Sequence, residues 1–353
     1  NSEFTENASS VYAGGGLANF SDNSSFSVIN TSFVSNTAQT TGGAFWSNGD
    51  NVIFTINDST FANNSSTLNG GALYLYALTN TLTVANTYFA QNHSDAYGGA
   101  VRLYGPGTTF ETVGVTAYFT RTTFTGNTSL SGGGALASGI GTLTTVNDST
   151  FVNNTGDYGG AFYISSDSMT GGADGHILNS TFSGNQAFTS GGAIYAYSGT
   201  NTTQLRLKNV TIAYNTTDSD NNGSGDGGGI ATDGLASVNL MNTLLANNTD
   251  MGGEAPDCKT INDFSFHSIN NNLIGKTDGC IFTPGPDDLT GTIASPLDPV
   301  LQPLTGSPAY HPLGFGSPAT DNGNPLPPHT GPYMTNCEPT DQTGTIRPID
   351  GNG

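Results

Sequence analysis

The densest run of oxygen donors lies at Asp218-Ser219-Asp220-Asn221-Asn222-Gly223-Ser224-Gly225-Asp226, where it interrupts an otherwise regular pattern. Asp218, Asp220, Asn222 and Asp226 stand at the first, third, fifth and ninth places of a turn, with Ser224 between them and Gly223 sixth. That spacing suits Ca²⁺, which takes six to eight oxygens around one sharp bend. Gly229 holds the twelfth place, where a bidentate Glu would close the shell, so the expected affinity is modest unless another part of the fold lends a carboxylate. A solvated acidic loop is the plainer reading of the same residues.

A second set of side chains follows a recurring Gly-Gly-Ala. Two residues after the alanine stand Trp46, Tyr74, Arg102, Ala137, Tyr163 and Tyr195; two further on stand Tyr76, Tyr104 and Tyr197. If the repeats stack, these positions line up as an outward stripe, with Arg102 against tyrosine rings. Such a stripe suits sugar rings or a protein partner. Tyrosine is also simply a good residue on an exposed strand.

Catalytic patterns are weaker. Histidines 93, 176, 267, 311 and 329 show neither metal spacing nor a Ser/His/Asp arrangement. Arg102, Arg121, Arg206 and Lys208 are the basic residues of the regular region, and none is expected beside several acids of neighbouring repeats. Arg206-Leu207-Lys208 and Gly175-His176 resemble elements of polygalacturonases, but the paired upstream aspartates of those hydrolases are missing. A non-catalytic protein is expected, with a polysaccharide lyase or hydrolase, or a passive glycan-binding module, as the alternatives.

The element that must position these groups is a repeat. An apolar residue followed three places later by Asn begins at 4, 33, 61, 89, 124, 151, 182, 212 and 244, at steps of 27 to 35 residues. Most copies lead to Gly-Gly-Ala and an alternating strand such as Ala72-Leu73-Tyr74-Leu75-Tyr76. A period of this size marks units that bury a core only by stacking. Two or three short strands per unit, with 49 glycines in 353 residues punctuating them, predict an all-β chain: a right-handed, single-stranded parallel β-helix over 1–250. The Phe, Ile or Leu should form an inner ladder. The Asn is expected both to take the left-handed corner and to bond to the next coil.

Phe-x-x-Asn alternating with Gly-Gly-Ala-(Ile/Leu/Val/Phe) resembles the repeat of the polymorphic outer-membrane proteins, a family of surface adhesins. Asn272-Leu273-Ile274-Gly275, Leu297-Asp298-Pro299-Val300-Leu301, Gly316-Ser317-Pro318-Ala319-Thr320-Asp321 and Asp341-Gln342-Thr343-Gly344 with Arg347-Pro348 are similar to the C-terminal part of choice-of-anchor Q proteins. These are bacterial secreted or surface β-helix proteins. The resemblances imply an extracellular scaffold, an adhesin stalk or a fibril subunit.

Pro106 alone among sixteen prolines precedes position 256, so 251–353 reads as irregular final coils and a segment wrapping over the end. Cys258 and Cys280 are expected to form a disulfide in an exported protein. Cys337 is left over: the family's terminal Cys, beyond Gly353, is its partner by resemblance, and a buried free thiol is the alternative. With 27 acidic and 7 basic residues and a formal charge of −20, nucleic acid and anionic lipid are excluded as partners, and no apolar run is long enough to insert in a membrane. Asn-x-Ser/Thr sequons at Asn201, Asn215 and Asn222 are candidate glycosylation sites. The chain opens inside a repeat, so its first strands are expected to meet either an upstream segment or the next copy in a head-to-tail polymer.

Overall fold

The computed structural model describes residues 2–106, 114–166, 171–200, 202–261, 266–326, 334 and 336–347, and these contain strands but no helix. Each coil carries four short strands rather than two or three. Like strands of successive coils pair in parallel, giving four long sheets. The anchor sheet has eleven strands, from Ser2–Thr5 to Leu289–Thr290, and the corner sheet nine, from Ala8–Ser9 to Thr249–Asp250. The stripe sheet has nine, from Leu17–Asn19 to Cys258–Thr260, and the long sheet ten, from Ser25–Ile29 to Phe282–Thr283. The extra strand is the corner strand, only two residues in most coils, too short to leave an alternating signal.

Phe4, Phe33, Phe61, Phe89, Phe124, Phe151 and Phe182 stack in sequence, with ring centroids 4.4 to 5.0 Å apart and planes within 13°. Ile212, Leu245 and Ile274 continue the column. The ninth rung is therefore Leu245, not Leu244. A one-residue step along a strand reverses the face, so Leu244 points outward, where Ala246 and Leu273 join it beneath Leu289, Leu297, Leu301 and Ala319.

A second column lies one corner away. The Oδ1 of Asn64 accepts the backbone N–H (3.0 Å) and the amide (2.9 Å) of Asn36, while its own Nδ2 donates to Phe33 O and Asn92 Oδ1. The pattern repeats through Asn92, Asn127, Asn154, Asn185, Asn215 and Asn248. The left-handed corner does not fall on these asparagines. It falls one residue earlier, on Ser35, Asn63, Gln91, Asn153, Tyr214 and Asn247, or on Gly126 and Gly184. The bend at that position turns the following Asn inward, where its amide bridges coils.

At another corner Ser59, Thr87, Thr122, Ser149 and Ser180 donate their hydroxyls to the carbonyl two residues back. Ser59, Ser149 and Ser180 also accept a backbone N–H from the preceding coil. Neighbouring coils approach closely at the second glycine of each Gly-Gly pair. A Cβ on Gly71 would sit 2.1 Å from Gly99 O and 2.4 Å from His93 O, both backbone atoms. Gly71→Ala should therefore cost about 3 kcal/mol or more, read as a lowered unfolding midpoint.

Past 291 the described residues first meet the last coil, where Leu297 N–H donates to Gly275 O at 3.0 Å. They then run back along the outer face of the anchor sheet, over apolar Leu244, Ala246 and Leu273 and on to polar Thr150 and Thr181. Thr150 Oγ1 donates to Ala309 O at 2.8 Å, Thr181 Oγ1 to Gln342 Oε1 at 2.7 Å, and Arg347 Nη1 to Asn179 Oδ1 at 3.0 Å. Cys258 and Cys280 form the disulfide, with Cα atoms 5.4 Å apart, and Cys337 is a buried free thiol.

Candidate functional site

Parallel register brings the predicted stripe together. Trp46, Tyr74, Arg102, Ala137, Tyr163 and Tyr195 are consecutive partners across the stripe sheet. Tyr76 stacks on Tyr104 at 5.7 Å with planes 8° apart. Tyr197 is separated from that pair, since it pairs with Ser165.

The row is not uniformly outward. Tyr76 is 40% exposed, but Arg102 and Tyr195 keep only 7% and 6% of their surface in solvent. The sequence reading missed Tyr97, in a turn, and Tyr158, at the end of the strand Thr155–Tyr158, each just before a Gly-Gly pair. The Tyr97 ring lies 5.3 Å from that of Tyr163 and 4.9 Å from Arg102 Cζ; Tyr158 packs on Tyr195 at 4.9 Å. Their position, one or two residues before a turn that folds onto the sheet, was the available signal. Phe20, 68% exposed, leans edge-on against Trp46 at 4.9 Å.

Arg102 is the chemical centre of the stripe. Its Cζ lies 4.9 Å from the Tyr97 ring centre and 5.3 Å from that of Tyr104, distances at which a cation is attracted to the ring face. Burial lowers its pKa, opposed by Tyr74, Tyr163, Tyr97 and Tyr104. Burial likewise pushes the Tyr74 hydroxyl up to about 12. Among the described residues no carboxylate pairs with Arg102, and its Nη1 is buried without a hydrogen-bond partner.

The predicted calcium loop is arranged otherwise. Asp218 is fully buried, and its two oxygens accept the backbone N–H groups of Asn222 (2.9 Å) and Gly223 (3.2 Å). Asp220 accepts from the Asn222 amide at 2.7 Å. Asp226 leaves the group to lie near Asp250 and Glu254, and Lys259 Nζ sits 3.0 Å from its carboxylate. Asp218, Asp220 and Asp226 thus do not turn their carboxylates toward one point, a poor fit to a calcium shell. Asp218→Ala should destabilise by about 1–3 kcal/mol through the two stranded amides. The loss should be equal in millimolar calcium and in excess chelator; a calcium-dependent melting shift would show that the loop closes on the ion.

Arg206 and His176, paired in the sequence reading only by resemblance, meet at Asp174. Arg206 Nη1 is 2.5 Å from Asp174 Oδ1 and 2.8 Å from His176 Nε2, and Gln204 accepts from Nη2. Burial raises the Asp174 pKa, but His176 and Arg206 outweigh it and hold the carboxyl below its usual range. The arginine is thereby occupied by an ion pair within its own sheet. Lys208 is buried and donates to Asn336 and Glu338 of the C-terminal segment.

Asn215 is fully buried in the amide ladder with both amide atoms bonded, which leaves a glycan no room in the folded coil. Asn222 is exposed. Asn201 lies outside the described residues.

Three stretches of these coils have a known counterpart. They match the family model of the Chlamydia polymorphic membrane protein repeat, at residues 58–76, 121–139 and 179–197. Each matched segment opens on a left-handed corner residue (Asp58, Arg121 or Asn179), then holds the Phe and Asn rungs and the Gly-Gly-Ala turn. All three lie within the regular coils, and none reaches the C-terminal hundred residues. The chain thus carries repeats similar to those of surface proteins. No curated protein and no solved structure matches it.

Proposed function

We propose that the chain is the rigid shaft of a non-catalytic surface protein, an adhesin stalk or fibril subunit that presents its tyrosine stripe laterally. The observation that carries this reading is the unbroken amide ladder from Asn36 to Asn248 alongside the stacked phenylalanines. Every coil spends its inward residues on holding the next coil. Eleven anchor strands at about 4.8 Å give a shaft of roughly 50 Å. The match to polymorphic membrane protein repeats supports a surface location, and the tail's likeness to choice-of-anchor Q proteins supports export.

Self-association is part of the same proposal. Among the described residues Phe4 stacks on Phe33 alone, and Asn7 donates to Asn36. Another coil above them, from a longer polypeptide or from a second copy, would extend both ladders.

Electron microscopy of native material tests the shaft: rods are expected, growing in length with concentration if copies stack. Incubation with acidic polysaccharides tests the absence of catalysis. Release of reducing or unsaturated sugars would replace this reading with that of a carbohydrate-active enzyme.

A further inference from the structure

We propose that Arg102 and the tyrosines around it form a receptor site for a carboxylate-bearing sugar, a proposal that rests on the non-catalytic reading of the stripe and sharpens it. The argument begins with an unbalanced charge. A guanidinium withdrawn from water normally has an acid beside it. This chain has 27 acidic residues against 7 basic ones, yet none of the described acids pairs with Arg102. The tyrosine faces compensate the charge in part. They leave Nη1 with no acceptor, and a buried donor without one is a place for a ligand oxygen.

The cluster is held in place by packing directly on glycine backbone. A Cβ at Gly139 would lie 2.8 Å from Arg102 Nη2 and 2.7 Å from the Tyr104 ring; one at Gly132 would lie 2.8 Å from the Tyr163 ring. Two positions on adjoining turns thus carry no side chain where the cluster sits.

The surroundings select the ligand. Beside the guanidinium the exposed Tyr76 ring stacks on half-buried Tyr104, and the C–H face of a pyranose stacks on an exposed ring of this kind. A planar guanidinium recognises a carboxylate through two parallel N–H bonds. An acidic peptide fits less well. Stripe strands next to Arg102 are hydrogen-bonded on both sides, so an extended peptide finds no free edge to join. Nη1 is closed off from water beneath the half-buried Tyr97 ring, so binding requires that ring to move.

Net charge makes the binding recognisable. A chain of −20 repels acidic sugars at long range, so added salt should leave the affinity unchanged or raise it. A basic patch would behave in the opposite way.

The test is calorimetry of the folded chain against uronic- and sialic-acid oligosaccharides, the same oligosaccharides methyl-esterified, and a glutamate-rich peptide. Ester-sensitive binding is expected, at least tenfold weaker for the ester, with a change in the near-ultraviolet tyrosine signal. Arg102→Gln should weaken binding at least tenfold and Tyr76→Ala severalfold. Tyr76 is exposed, so its variant keeps the fold even if the arginine variant does not. Absence of ester-sensitive binding by the unaltered chain, or a peptide that binds where the acidic sugars do not, overturns the site and leaves the shaft intact. Turnover of a bound sugar would overturn the non-catalytic reading and leave the carboxylate site standing.

Discussion

Asp257→Asn should raise the unfolding free energy by roughly 1–3 kcal/mol at pH 7.5 and leave it unchanged near pH 4. The reason is the place of Asp257 in the amide ladder. Its Oδ1 accepts the backbone N–H of Asn248 at 3.1 Å and the Asn248 amide at 2.9 Å, the same pair of bonds that each ladder asparagine receives. The ladder thus ends on a carboxylate. Its other oxygen is buried with no partner; the Lys276 amide points toward the group without closing a bond of normal geometry.

Burial raises the Asp257 pKa from 3.8 to about 6, against the opposing pull of Asn248 and Lys276. The folded chain therefore holds this proton more tightly than the unfolded one. Its contribution is complete below about pH 4, is lost as pH rises toward 6, and is absent above. About two units correspond to roughly 3 kcal/mol. Asparagine removes the charge and keeps the two accepted bonds, but its Nδ2 faces a site with no acceptor, which lowers the expected gain. Denaturant melts of both chains across pH 4 to 8 check this: the difference between them should open as pH rises. Curves that stay parallel would show that Asp257 is not the titrating group.

The coil architecture was readable because each rung repeats one chemical type at a nearly fixed period. Phe33, Phe61 and Phe89 announce a column, and Gly43 or Gly71 an approach too close for a Cβ. What the spacing concealed was the direction of single residues. Leu244 and Leu245 are both apolar and adjacent, so only the paired strand decides which turns inward. The same limit applies to the corner. Asn63-Asn64 offers two residues equally suited to a left-handed bend, and the first takes it.

The stripe was legible as a row but not as a site. Arg102, Tyr74 and Tyr163 share an offset from Gly-Gly-Ala, whereas Tyr97 reaches them from a turn with no such offset. In the acidic loop the spacing did not show that Asp218 already serves its own backbone. Short acidic side chains near glycine serve backbone amides as readily as ions, and Asp218 does the former. The Asn248–Asp257 bond links residues nine apart, well short of the repeat period, so periodicity gave no hint of it.

Asn127→Leu should be the most damaging single change in the shaft, costing roughly 3–6 kcal/mol. The side chain stands at the middle of the ladder, fully buried. Its Oδ1 accepts Asn92 N–H at 3.0 Å and the Asn92 amide at 2.9 Å; its Nδ2 donates to Phe89 O at 3.0 Å and Asn154 Oδ1 at 2.9 Å. Leucine fills a similar volume, so little cavity forms, but two donors and two acceptors lose these bonds in a dry interior. Phe124→Leu, one rung element away, removes only part of a ring and should cost about 1–2 kcal/mol. The ordering of the two variants is the test, because it separates a coil held by amide bridges from one held by apolar stacking alone. Since stacking couples mainly adjacent coils, the break at Asn127 should also divide the melt into two transitions, with the Tyr97–Tyr163 contact, which spans the intervening coil, opposing their full separation. A single transition, with Phe124→Leu the worse of the pair, would show that the stacked rings carry the cohesion instead.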